Sequence, residues 1–139
     1  MELDDLYRRV IMDHYKNPRN RGSFDGDVIT VNLNNPSCGD RITIQLKMEN
    51  GIVMDAKFQG EGCSISLSSA SMMTDAVKGK TLEEAEHMAE NFSCMMRGQH
   101  TDFEYEDLEA LSGVNKFPAR IKCATLAWNA MRKGIEKTD

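Results

Sequence analysis

Residues 38–63 read CGDRITIQLKMENGIVMDAKFQGEGC, and the pattern along them predicts a β-hairpin with a cysteine at each end. Apolar and polar residues alternate along residues 41–48 and again along residues 52–58, as they do in half-buried strands. Asn50 and Gly51 lie between the two runs, and Asn-Gly is a strong hairpin-turn signal. The hairpin therefore forms the centre of the expected sheet, and a third strand is predicted at residues 28–33.

The register of this hairpin depends on the length of its loop. A two-residue loop at Asn50-Gly51 would set each apolar row against a polar one, because a slip of one residue exchanges the faces of a strand. We expect a three-residue loop instead, with Gly51 in the left-handed conformation and Ile42 opposite Phe58. In that register Cys38 lies opposite Gly62, one step from Cys63.

The open end of the hairpin carries candidate metal ligands. Cys38 and Asp40 are two residues apart, so they share a face if the strand continues through them. Thiolate and carboxylate together are ligands for a borderline-soft divalent metal, zinc above all. Gly60 and Gly62 let the chain leave the ladder and turn Cys63 towards this face.

Composition excludes several classes of function. The chain has 139 residues, a net charge of −5 and no dense run of lysine or arginine, which argues against a nucleic-acid-binding or membrane-binding protein. No apolar run approaches a membrane span, and the acidic N-terminus has no apolar signal segment. A cytoplasmic location is expected, where the four cysteines would stay reduced. Their spacing lacks a CxxC pair, so it indicates zinc only weakly.

Helical periodicity and capping signals predict the remaining elements. A helix ends before Asn17-Pro18, and a second one runs over residues 64–77 with Cys63 at its N-terminus, where the helix dipole favours a thiolate. Thr81-Leu82-Glu83-Glu84 is a capping box for a third helix that extends to about Phe92. Residues 93–106 are expected to be exposed and irregular, followed by a short helix over residues 107–111. The last helix begins at Pro118 and holds Cys123 in its second turn.

Other residues that could carry chemistry have simpler interpretations. His14 continues an apolar stripe, so a packed core histidine is favoured over a metal ligand. Cys94 and His100 lie in the irregular segment, where nothing holds them in place for a metal. Arg120 is on the Cys123 face of its helix and could steady a thiolate or an anionic partner; a plain surface arginine is an equal alternative. The Met72-Met73 and Met95-Met96 pairs are expected in the core rather than on a docking surface.

Several blocks of the chain resemble the U-type iron–sulfur cluster assembly proteins. The resemblance covers nearly the whole sequence and is carried by Leu6-Tyr7, Asp13-His14-Tyr15, Asn17-Pro18, Gly22, Asn35-Pro36, Cys38-Gly39-Asp40, residues 58–66 and Cys123. The sequence KFPARIKCATL at residues 116–126 is similar to the SufU branch of that family, as is the extra length between Cys63 and Cys123. We therefore expect one domain over residues 1–139, with a polar insertion at about residues 85–106.

The resemblance implies an α+β fold, in which a small three-stranded antiparallel sheet has helices packed on one face and a metal site at its edge. It implies that Cys38, Asp40, Cys63 and Cys123 are the metal ligands. In one branch of the family a histidine precedes the third cysteine, whereas this chain has Lys122. Lysine is a poor zinc ligand near neutral pH because its amine is protonated, so Asp40 should take the fourth position.

Three functions are compatible with such a site. In the first, the protein is a zinc-dependent sulfurtransferase: Cys38 accepts persulfide sulfur from a SufS-like cysteine desulfurase and passes it to a downstream cluster-assembly scaffold. In the second, the protein is itself a scaffold on which a transient iron–sulfur cluster is built and transferred. In the third, it is a structural zinc domain. The carboxylate ligand favours a site that opens over a closed structural one, and the missing histidine counts against the scaffold.

Overall fold

The computed structural model describes residues 3–36 and 39–137. The elements follow in the order α1 (Leu3–Lys16), β1 (Ile29–Asn35), β2 (Asp40–Glu49), β3 (Ile52–Glu61), α2 (Ser64–Val77), α3 (Leu82–Met96), a 3₁₀ helix (Glu106–Lys116) and α4 (Pro118–Glu136). None of the helices within these residues is long and apolar enough to cross a membrane.

The three strands form an antiparallel sheet in the order β1-β2-β3, with helices on one face. Ile42, Ile44 and Leu46 of β2 point into the core and are at most 1% exposed, whereas Thr43 and Gln45 face the other side. The long helix α4 packs on β1 and β2, and α2 packs on β3 and on α4. The predicted α+β fold is therefore confirmed.

The predicted loop of the hairpin is wrong. Glu49 pairs with Ile52, so the loop has two residues, and Asn50 and Gly51 adopt left-handed backbone angles with φ of 52° and 75°. The register then shifts between Lys47 and Met48, where β3 carries one extra residue.

This bulge explains how a two-residue loop is compatible with an apolar core. The extra residue is Met54, which is 51% exposed. Val53 directly before it and Ala56 two residues after it are fully buried. One inserted residue reverses the alternation of the strand, so apolar residues again face apolar residues beyond it. As a result Ile42 pairs with Gly60 rather than with Phe58.

The third helix is longer than the sequence indicates. It continues past Phe92 to Met96, and Met95 and Met96 are 4% and 5% exposed. The prediction that residues 93–96 are irregular is therefore wrong, because these methionines extend the apolar face that Phe92 begins. Phe92 itself stacks on Trp128 of α4, with ring centroids 4.9 Å apart.

His14 has the packed position that its apolar stripe predicts. It is fully buried, and its ring nitrogens lie 2.7 Å from the Ser71 hydroxyl and 2.8 Å from an Asp107 carboxylate oxygen. One buried ring thereby joins α1, α2 and the 3₁₀ helix. Because both ring nitrogens of this buried imidazole have hydrogen-bond partners, His14 has a structural role that links the three helices.

The capping box of α3 is formed as predicted and can be tested. The Thr81 hydroxyl accepts the Glu84 N–H, and the Glu84 carboxylate accepts the Thr81 N–H. We expect Thr81→Ala to lower the free energy of unfolding by about 1 kcal/mol, because it leaves a helix N–H without its partner. Urea denaturation measures this change. Thr81→Ser is the control, since it keeps the hydroxyl; an equal loss in both variants would contradict the capping role.

Candidate metal centre

Three of the predicted ligands meet at the end of the sheet that is opposite to the hairpin turn. Asp40 is the first residue of β2, Cys63 immediately precedes α2, and Cys123 lies in α4. One ligand atom of each lies within 4.8 Å of the others. The fourth predicted ligand, Cys38, lies outside the described residues.

The strand register brings the first two of these residues together. Arg41 pairs with Glu61, so the start of β2 lies beside the end of β3. Asp40 pairs on its other side with Asn35 of β1. Cys63 follows β3 by two residues and therefore lies next to Asp40.

The two oxygens of Asp40 have different environments. The side chain is fully buried, and its Oδ1 accepts hydrogen bonds from the Cys63 N–H at 3.0 Å and from the Ser66 hydroxyl at 3.2 Å. Its Oδ2 is buried and has no hydrogen-bond partner among the described residues. A buried polar atom without a partner costs free energy, more so when it is charged. A divalent cation in contact with Oδ2 would remove that cost, so the residues present fit a metal ion.

Cys63 occupies the N-cap position of α2. Its backbone is extended, with φ of −75° and ψ of 169°, and its side chain makes no capping hydrogen bond. The sulfur is half-buried and lies 3.9 Å from the Ser66 hydroxyl. The positive end of the helix dipole at this position favours a thiolate.

Cys123 is fully buried in the second turn of α4. The Asn35 side-chain amide points a donor at its sulfur from 3.8 Å, and the sulfur lies 3.9 Å from the Ala119 carbonyl. Lys122 and Arg120 are both exposed. Lys122 is therefore on the surface beside the centre.

Gly62 gives this centre the space that it needs. Its backbone has φ of +158°, and a Cβ placed there would lie 2.4 Å from Asp40 Oδ1 and 2.5 Å from Ser66 Oγ. Any side chain would displace the carboxylate or the hydroxyl that bonds to it. The sequence pattern predicts only that Gly62 lets the chain leave the ladder and turn Cys63 inward, and it predicts no such role for Ser66 or Asn35. The signal for Ser66 was its position three residues after an N-cap.

The remaining candidates lie outside this cluster. Cys94 contacts Arg97 Nη2 at 3.1 Å and lies near Glu90, and exposed His100 pairs with Asp102 at 3.2 Å. The Met72-Met73 and Met95-Met96 pairs are buried. The methionines are therefore in the core as expected, whereas Cys94 lies in α3 and not in an irregular segment.

A groove of about 560 Å³ opens beside the centre. It lies between α1, the 3₁₀ helix and the start of α4, and its lining contains apolar side chains and the cationic residues Arg8, Lys116 and Arg120. Phe117 at its rim is 61% exposed. Ser64, the neighbour of Cys63, belongs to the same lining, so the groove ends one residue away from a metal ligand.

The role of Gly62 can be separated from ordinary backbone strain. Gly62→Ala should weaken zinc binding by at least about tenfold, because the new methyl group displaces Asp40 or Ser66. Gly79→Ala is the matched control: Gly79 also has a positive φ, of 80°, but nothing lies within 4 Å of the position that a methyl group there would take. Both changes should destabilise the fold by about 1 kcal/mol. Chelator competition measures affinity and urea denaturation measures stability; equal zinc affinities of the two variants would contradict the steric argument.

Comparisons with known proteins agree on one family. The family model of the NifU-like N terminal domain matches residues 6–138. A zinc-dependent sulfurtransferase SufU of Bacillus subtilis (strain 168) is 60% identical over 99% of this chain and 94% of its own length. An iron–sulfur cluster assembly scaffold protein IscU of Streptococcus pyogenes serotype M1 is 48% identical over 99% and 87%.

Solved structures support the same relationship. One crystal structure of a hypothetical protein has a TM-score of 0.90 at 49% identity and covers 96% of this chain and 99% of that one. Another, from Fervidobacterium islandicum AW-1, is described as a candidate scaffold protein for cluster assembly in the SUF system. Its TM-score is 0.87 at 30% identity, over 96% and 99% of the two chains.

Proposed function

This chain belongs to the NifU-like N-terminal domain family, and we propose that it is a zinc-dependent sulfurtransferase of iron–sulfur cluster assembly. The observation that carries this proposal is the buried carboxylate of Asp40, which has an oxygen within 4.8 Å of two cysteine sulfurs and whose Oδ2 has no hydrogen-bond partner among the described residues. The relative of 60% identity with that activity in its name supports the same conclusion.

We assign the zinc ion to Cys38, Asp40, Cys63 and Cys123. A thiolate-rich set completed by one carboxylate suits zinc better than magnesium or calcium, which prefer oxygen ligands. When bound, zinc keeps the ligating thiols deprotonated at neutral pH. Asp40 is the weakest ligand of the four for a borderline-soft metal, and it distinguishes this set from a closed structural site of four cysteines.

Cys38 is the proposed sulfur acceptor. Its thiolate attacks the terminal sulfur of a persulfide on the donor protein, a new S–S bond forms on Cys38, and the donor S–S bond breaks. The donor cysteine leaves as a thiolate, and the proton of the terminal sulfur stays with the sulfur that moves. The exchange is balanced and needs no external oxidant or reductant.

The surroundings of the other two cysteines favour Cys38 for this role. Cys123 is fully buried in α4, and Cys63 begins α2 with its N–H bonded to Asp40. Sulfur exchange requires an accessible thiolate and an attack along the S–S axis. Cys38 falls in sequence between the end of β1 and the start of β2 and belongs to neither helix, which is why we propose it as the acceptor.

The donor in this proposal is a SufS-like cysteine desulfurase, and the sulfur then passes to a downstream cluster-assembly scaffold. The groove beside Ser64 gives a protein partner a route to the ligands, with exposed Phe117 as an apolar contact at its rim. Catalysis would consist of cycling between the sulfur-free and the persulfide-bearing forms. The cytoplasmic location and the polar insertion at residues 85–106 stay predictions.

Removing the acceptor thiol tests the proposal. After incubation with a cognate desulfurase and free cysteine, the zinc-loaded protein should gain the mass of one sulfur atom and should raise desulfurase turnover at substoichiometric amounts. Cys38→Ala should lose both effects, whereas Cys94→Ala, which removes a half-buried thiol of α3, should keep them. Intact-protein mass spectrometry and alanine release measure the two effects. Sulfur still carried by Cys38→Ala would assign the acceptor role to another residue.

A scaffold function is the second candidate. The relative of 48% identity named as an IscU scaffold favours it, and thiolates suit iron–sulfur clusters. The exposed position of Lys122 counts against it, because a lysine there offers no replacement for a histidine ligand.

The two candidates make opposite predictions for the zinc-stripped protein. A sulfurtransferase loses its stimulation of the desulfurase when zinc is removed and regains it when zinc is restored. A scaffold instead assembles a stable cluster from iron and sulfide under anaerobic conditions, transfers it to an apo-acceptor, and is blocked by zinc. Visible absorption of the cluster and desulfurase turnover distinguish them; cluster transfer with zinc inhibition would favour the scaffold.

A further inference from the structure

We propose that Ser66 is a positioning residue for the metal centre, which holds Asp40 so that only Oδ2 is presented to the metal. Its hydroxyl lies 3.2 Å from Asp40 Oδ1, and the residue is 1% exposed. Ser66 would not touch the metal or the transferred sulfur, so it acts through Asp40.

The single proton of the Ser66 hydroxyl has three possible acceptors. They are Asp40 Oδ1, the Cys63 carbonyl at 3.0 Å in the preceding turn and, at the longer distance of 3.9 Å, the Cys63 sulfur. That carbonyl already accepts the Leu67 N–H at 3.1 Å. A carboxylate is the stronger acceptor because its hydrogen bonds are charge-assisted. The proton is therefore directed at Asp40.

Two donors on one oxygen orient the whole carboxylate. The Cys63 N–H and the Ser66 hydroxyl both point at Oδ1, and rotation of the carboxylate about its Cβ–Cγ bond would break both bonds. The space for this arrangement exists because residue 62 is glycine. Oδ2 has no such partner among the described residues, so Asp40 would bind a metal through this oxygen while the two donors hold Oδ1.

This inference rests on the proposed zinc site, but not on sulfur transfer. Hydrogen bonds to a ligating carboxylate set its orientation, and their loss typically costs about 10- to 100-fold in metal affinity. A carboxylate that binds the metal through one oxygen can also dissociate by breaking a single metal–oxygen bond. Ser66 therefore contributes to both the strength and the openness of the centre.

The experiment compares two serines of the same helix. Ser66→Ala and Ser68→Ala each remove one buried hydroxyl from the first turns of α2, but the Ser68 hydroxyl donates only to the Ile65 carbonyl at 3.2 Å. We expect Ser66→Ala to weaken zinc binding by about tenfold and Ser68→Ala to leave it within about twofold. Chelator competition gives the affinity of the full-length protein for zinc alone.

A double-mutant cycle separates positioning of Asp40 from a general effect on the fold. In an Asp40→Ala background, adding Ser66→Ala should change affinity by no more than about twofold, since no carboxylate is left to position. If that background binds zinc too weakly, the same cycle is measured with cadmium, which binds thiolates more strongly.

Cobalt substitution gives a spectroscopic signature of the carboxylate. Ser66→Ala should lower the intensity of the visible Co²⁺ absorption relative to Ser68→Ala, because a freed Oδ1 raises the coordination number and a five-coordinate ion absorbs more weakly than a tetrahedral one. Equal affinities and spectra of the two serine variants, or a Ser66 effect that persists without Asp40, would overturn the inference. Absence of zinc binding by the unchanged protein would overturn the proposed function instead.

Discussion

The hydrogen bonds to Asp40 Oδ1 connect the sheet to the helical layer at the centre of the candidate site. Through them the first residue of β2 is joined to the first turn of α2, by the backbone N–H of Cys63 and the hydroxyl of Ser66. Burying a carboxylate costs free energy, and these two hydrogen bonds offset part of that cost. The same bonds occupy Oδ1 and leave Oδ2 as the oxygen that is available to a cation beside Cys63 and Cys123.

The rest of the fold holds these groups in place. Cys123 reaches the site because α4 crosses β1 and β2, and its sulfur faces the amide of Asn35, the residue that pairs with Asp40. On the far side of the helical layer, buried His14 connects α1 to α2 and to the 3₁₀ helix. A site built from three separate elements needs such a packed scaffold, because small displacements of any element would change the distances between ligands.

The hairpin and the third helix were each predicted correctly in part from the sequence pattern. Alternation along residues 41–48 correctly indicated which face of β2 is buried, and the capping box at Thr81 correctly placed the start of α3. The predicted loop length was wrong because a bulge at Met54 shifts the register after the turn. A bulge leaves the alternation before and after it nearly intact, so the sequence pattern does not reveal it. The end of α3 was missed, although Met95 and Met96 were expected in the core and Gly98, with φ of 85°, follows the C-cap Arg97 at the position where helices commonly end.

The sequence by itself determined the two strands of the hairpin, the helix starts and the residue types of the candidate centre. Alternation, capping and ligand chemistry are local properties. It also placed Cys63 at a helix N-terminus, where the dipole acts on it. Only the tertiary structure decided that, among the described residues, Asp40 has one satisfied and one unsatisfied oxygen, and that the donors are the Cys63 N–H and the Ser66 hydroxyl. Hydrogen-bond partners and burial depend on groups that meet across the sheet and the helices, and chain packing rather than neighbouring sequence brings those groups within 3 to 4 Å.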